Sequence, residues 1–169
     1  MAKRLRPVSA EFLGTAPARL VFTARLRSGP EAVFRELTED ASTMPLWFRE
    51  VRSAAYTGAP PFGVGAGRSV TLRGGAHFVE RVVAWREPER FVYRVEQTSL
   101  PGVRAWMEEW LLAPGADGGA VLRFTIAADA APALRAALRL GRPGVARAVR
   151  QAVARLDERC GAARPRPPE

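Results

Sequence analysis

From Gly67 to Ala127 the chain alternates apolar and polar residues between turn signals, and from Pro143 to Cys160 it changes to helical spacing. A run of short strands with one apolar face, followed by one long amphipathic helix, has a single obvious way to bury both surfaces. The sheet curls around the helix. Packing of this kind tends to leave a cavity between the two, so the feature bears on function as well as on fold.

The elements around that switch follow from local pattern. Ala18 to Arg27 places Leu20, Phe22, Ala24 and Leu26 on one face and predicts a first strand. Ser28-Gly29-Pro30 then opens a helix with Ala32, Val33 and Leu37 on its apolar stripe, and Asp40 or Ser42 caps a second short helix holding Trp47 and Phe48. Glu50 to Tyr56 predicts a strand, and the Gly- and Pro-rich residues 57–67 a loop. A short strand at Arg68–Arg73 is followed by Ala76–Arg86, Arg90–Thr98, Val103–Leu112 and Ala120–Ala128, separated by turn-like segments. Short connections make this sheet of about seven strands antiparallel. Ala131–Leu140 starts a helix that residues 141–144 interrupt, after which Val145, Val149, Ala152, Val153, Leu156 and Cys160 share one face. The expected layout is a loosely ordered lead-in over 1–16, one α+β domain over 17–161 and a disordered tail over 162–169.

Composition narrows the class. A chain of 169 residues with mean hydropathy −0.11 builds one globular core, and no apolar run approaches the roughly 20 residues of a membrane span. Cys160 is the only cysteine, which permits a reducing compartment, and an arginine-rich, alanine-rich composition with Lys3 as its one lysine suggests GC-rich bacterial coding. The expectation is a bacterial cytoplasmic protein. The net charge of +9 is not spread evenly. Residues 7–130 hold 14 arginines and 14 acids, which cancel, whereas residues 131–160 hold 7 arginines against Asp157 and Glu158. That basic helical stretch has no aromatic residue, so a solvated arginine face is favoured over a nucleic-acid reader.

Strand, two short helices, six strands and a long helix is the layout of the helix-grip fold. The motifs agree. Pro30 to Leu37 resembles the P-x-x-V-F-x-x-L opening helix of the START-like superfamily, also called SRPBCC. Trp47-Phe48, the G-x-G of Gly65 and Gly67 before Arg68, the Glu87-Pro88-Glu89-Arg90-Phe91 hairpin and Leu112-Ala113-Pro114 with Gly118-Gly119 resemble further motifs of that superfamily in order. Glu87 stands where the family has proline, and Ala120 where it has threonine. Its polyketide cyclase/dehydrase-like branch is the most similar. The resemblance implies a START/Bet v 1-like fold: a curved sheet of about seven strands wrapped around the C-terminal helix, with an apolar ligand cavity between them. Some members cyclise or dehydrate a bound polyketide, and others carry lipids, so fold alone does not name the activity.

Inward faces supply the candidate chemistry. Trp106, Glu108, Trp110 and Leu112 share one face of their strand, as do Phe91, Tyr93 and Val95, and Leu122, Phe124 and Ile126. In Ala76–Arg86 either face could look inward, Phe78, Glu80, Val82 and Ala84 or His77, Val79, Arg81, Val83 and Trp85; the expectation taken is Phe78 and Glu80 inside. Glu80, Glu108 and Tyr93 are the candidate catalytic residues, because an inward carboxylate either pairs with a buried arginine or has a raised pKa suited to proton transfer. Arg81, Arg94 and Arg123 are the arginines near them along the strands, with an outward orientation as the alternative. Trp47, Phe48, Val70, Phe78, Phe91, Tyr93, Trp106, Trp110, Phe124, Leu134, Leu138 and Val149 are the candidate ligand-binding residues, with Trp106 and Trp110 forming a flat wall for a ring-shaped ligand. One histidine, His77, and one cysteine cannot build the usual zinc site, and no dinucleotide or phosphate-loop motif is present, which leaves a cofactor-free pocket. Two functions fit: a cofactor-independent polyketide cyclase/dehydratase, or a non-enzymatic carrier of a lipid or quinone that meets anionic membranes through the arginine face of residues 135–155.

Overall fold

The structure, a computed structural model, describes residues 2–162. The elements run β1 (Lys3–Arg4), α1 (Phe12–Thr15), β2 (Ala18–Leu26), α2 (Pro30–Thr38), a 3-10 turn (Ala41–Thr43), α3 (Met44–Trp47) and β3 (Val51–Thr57). They continue β4 (Gly67–Leu72), β5 (His77–Arg86), β6 (Arg90–Thr98), β7 (Val103–Pro114), β8 (Ala120–Ala130), α4 (Pro132–Leu140) and α5 (Arg142–Ala162). The main sheet has the order β2-β8-β7-β6-β5-β4-β3, antiparallel throughout, and β1 adds to β6. This is the α+β helix-grip arrangement: α5 lies in the concave face with Val149, Ala152, Val153, Leu156 and Cys160 buried. Its 21 residues span about 32 Å, enough to cross the sheet.

The helix break is shorter than the 141–144 segment suggested. Only Gly141 separates α4 from α5, because Pro143 falls in the first turn of α5, where its missing N–H has no helical acceptor to satisfy. At the opposite end of the molecule, the β7–β8 hairpin presses on the end of β2. A side chain at Gly119 would collide with the Leu26 carbonyl, so only glycine fits that approach.

Within the lead-in, expected to be loosely ordered over 1–16, Lys3–Arg4 form β1 and Phe12–Thr15 form α1. Beyond Arg94 the β7 strand no longer pairs with β6, and β1 takes its place: Lys3 and Arg4 pair with Thr98 and Gln97. The Leu5 N–H then donates to Glu96 O at 2.9 Å and that of Arg6 to Arg104 O at 2.8 Å. Val8, Phe12 and Leu13 bury Val92, Ala105, Met107 and Ala127 on the convex face of the sheet. Backbone groups left open by the splayed strands need partners, and apolar residues on the outer face need cover. Of the tail expected to be disordered, Ala162 ends α5, and the remainder lies outside the described residues.

Candidate functional site: an apolar cavity with a buried acid

Between the concave face and the helices lies a cavity of about 240 Å³, just under the ~300–1,000 Å³ usual for small-molecule pockets. Of the residues expected to line it, Val70, Phe78, Tyr93, Trp106 and Phe124 do so from the sheet, Leu138 and Val149 from α4 and α5, and Phe48 from the residue just after α3. Trp47, Phe91, Trp110 and Leu134 do not. Trp110 stacks on Phe124 with ring centroids 4.1 Å apart and meets Trp47 edge-on at 6.0 Å, so the two tryptophans form the core beneath the cavity. Phe91 lies against Trp85 and Tyr93, and Leu134 packs near Gly102. The flat two-tryptophan wall is therefore absent; Trp106 alone faces the cavity, beside Phe78.

Strand pleating delivers the polar groups. In β5, Phe78, Glu80 and Val82 are buried on the inner face. A register shift between Val82 and Ala84 then reverses the alternation: Ala84 packs on the convex side and Trp85 turns inward, against Phe34 and Phe91. Glu80 accepts a hydrogen bond from Arg68 Nε at 2.7 Å, and Arg68 is only 3% exposed. The guanidinium lies over the Tyr93 ring at 4.3 Å from its centroid. Arg68 was not among the residues singled out from sequence. Its signal was available, because it precedes the inward Val70 by two residues on β4 and so shares its face. Arg81, Arg94 and Arg123 instead serve convex-face acids: Arg81 and Arg94 pair with Glu96, and Arg123 with Glu109.

Glu108 has no arginine. Its Oε2 accepts from the Tyr93 hydroxyl at 2.5 Å and its Oε1 from Trp106 Nε1 at 2.8 Å, while Trp110 Nε1 donates to the Tyr93 oxygen at 3.2 Å. Burial raises the Glu108 carboxyl to about 7; the nearby Glu80 charge adds to the rise, and the Tyr93 and Trp106 hydrogen bonds oppose it. Burial also raises Glu80, against the pull of Arg68. Tyr93 is raised well above its ordinary value by burial and then by Glu108, so it stays a neutral donor. Glu80, Tyr93 and Glu108 all line the cavity. Each carboxylate oxygen has two lone pairs, so Glu108 keeps acceptor sites for a ligand.

The other reactive residue types lie elsewhere. His77 Nδ1 is 3.2 Å from Thr71 Oγ1 at the end of β5. The Cys160 thiol is buried on α5 and raised to about 11, first by desolvation. Among the described residues no cluster of three or more His, Cys, Asp or Glu could hold a metal ion. No described helix is long and apolar enough to cross a membrane.

A curved antiparallel sheet gripping a long helix over an apolar cavity defines a START-like, SRPBCC-type small-molecule binding protein. Residues 17–161 match the family model described as polyketide cyclase / dehydrase and lipid transport, and the chain belongs to that family. An uncharacterised protein of Mycobacterium tuberculosis is 32% identical over 136 residues, 80% of each chain. A START superfamily protein from Mycobacterium smegmatis superposes with a TM-score of 0.65 at 10% identity, over 86% of this chain and 99% of that one. The ginseng major latex-like protein 151 does so with a TM-score of 0.65 at 11% identity, over 84% and 96%. At these identities both structures speak for the fold alone.

Proposed function

We propose that the cavity takes a small, mostly apolar molecule bearing a carbonyl group, and that Glu108 moves a proton on it as a cofactor-independent cyclase or dehydratase of polyketide-like substrates. The observation that carries this is a carboxyl on an apolar cavity wall, oriented by Tyr93 and Trp106 and raised to about 7, where it is a competent base near neutrality. The Glu108 carboxylate takes the proton α to a ligand carbonyl. The resulting enolate attacks a second carbonyl held close by the folded chain, forming a C–C bond, and the proton returns from Glu108 to the new alkoxide. Tyr93 and Trp106 fix the carboxyl throughout, and Glu80 with Arg68 supplies the polar flank.

The first step is measurable without the natural substrate. Exchange of the α-protons of 2-tetralone into D2O, followed by NMR, should be accelerated by the protein and slowed at least about 100-fold by Glu108→Gln. Equal exchange by the folded variant would rule out Glu108 as the base.

A second reading, a lipid or quinone carrier that meets membranes, is favoured by α4 and the start of α5. No residue of α4 is fully buried, Leu140 is 83% exposed, and Arg139, Arg142, Arg147 and Arg150 are exposed beside it in sequence. This reading expects co-sedimentation with anionic vesicles that weakens with salt; absence of sedimentation at low salt removes it.

A further inference from the structure

The cavity wall residues Glu50, Leu72 and Leu100 also line a larger groove of about 790 Å³ outside it, whose other walls include Arg49, Arg73 and Gln151. The two spaces share these three walls, which sets the groove against the cavity as its candidate vestibule. Arg49 and Arg73 are exposed, and neither forms an ion pair among the described residues. Arg73 is held in place: its Nε donates to Arg49 O at 2.6 Å and its backbone N–H to Glu50 O at 2.8 Å. That anchoring leaves both terminal nitrogens of its guanidinium open to an incoming acceptor.

Resting on the reading of the cavity as a small-molecule site, we infer that this vestibule binds the carboxylate end of a single-chain amphiphile whose apolar body fills the cavity. A guanidinium immobilised through Nε retains donors that match a carboxylate. Leu72 stands four residues along β4 from Arg68, roughly 13 Å at strand rise, so the acid end and the polar wall near Glu80 and Glu108 are separated by one medium-length chain or fused-ring body. The cavity volume admits one such chain and excludes a two-chain phospholipid. Glu50 is the one acid on these walls of the vestibule, and it opposes the two arginines.

Calorimetric titration of the full chain at low salt with decanoate and 1-decanol tests this. Decanoate should bind at least ten-fold more tightly than decanol. Arg73→Gln and Arg49→Gln should each weaken decanoate several-fold and leave decanol unchanged, and Glu50→Gln should tighten decanoate. Equal affinity for the two ligands, or equal weakening of both by Arg73→Gln in a folded variant, would overturn the carboxylate site while leaving the cavity reading intact. Binding of neither ligand would count against the cavity reading and the site together.

Discussion

Glu108 and Glu109 are neighbours on β7 and face opposite sides of the same sheet. Glu109, on the convex face, is held by Arg90 at 2.8 Å and Arg123 at 3.6 Å. Two other acids of that face are treated alike: Glu96 meets Arg81 and Arg94, and Asp129 meets Arg6 and Arg104. On the concave face Glu80 has one arginine and Glu108 has none, only the neutral donors Tyr93 and Trp106. Each of these outer acids is compensated twice over, even Glu109, which is as buried as Glu80; the inner pair shares one cation beside an apolar cavity. This is the pattern expected where a carboxyl is kept available to exchange a proton rather than locked as a charge.

The widest gap between the faces should appear on removing arginines. Arg68→Met strands Glu80 in the core and should cost about 3–5 kcal/mol in urea unfolding. A cost near zero would mean that the pair is not closed off from water. On the convex face Arg81→Gln breaks a pair in which Arg81 is 43% exposed, and should cost about 0–1 kcal/mol.

The faces should also differ in the sign of their pH dependence. The folded-state pKa of Glu108 lies above the unfolded value, so its protonated form is favoured on folding. Its contribution is fully present below about 4.5 and is lost as pH rises to about 7, roughly 3 kcal/mol in all. Glu96 is lowered, chiefly by its hydrogen bond from Arg81, so its contribution is present above the unfolded pKa and is lost as pH falls through the folded one. Unfolding midpoints at pH 5 and pH 7 should therefore converge in Glu108→Gln relative to the unmodified protein. A variant that kept the full difference would locate that proton elsewhere.

Much of this contrast was legible in the order of residues, and the rest was not, for identifiable reasons. Strict alternation set Glu108 beside Trp106 and opposite Glu109; the same rule would have put Arg68 with Val70, but Arg68 was passed over. Alternation misplaced Ala84 and Trp85 because the irregularity between Val82 and Ala84 has no local signature. Trp106 and Trp110 share a face, yet only the packing of Phe124 and Trp47 decides that one meets the cavity and the other the core. Leu5, Val8, Phe12 and Leu13 follow neither strand nor helix period. What orders the last three is an apolar patch on the convex face assembled from β6, β7 and β8, far away in sequence.

The protonation state of Glu108 decides between a charge held in place and a proton on offer. Carbon-13 NMR of the glutamate side-chain carboxyls across pH 3 to 9, with the Glu108 signal assigned by its loss in Glu108→Gln, measures it directly. The predicted midpoint is about 7, and Glu80→Gln should lower it, because the charge that raises it is removed while Arg68 remains. A Glu108 midpoint at the ordinary value of about 4.5 would contradict the assignment of this residue as the proton-transferring group.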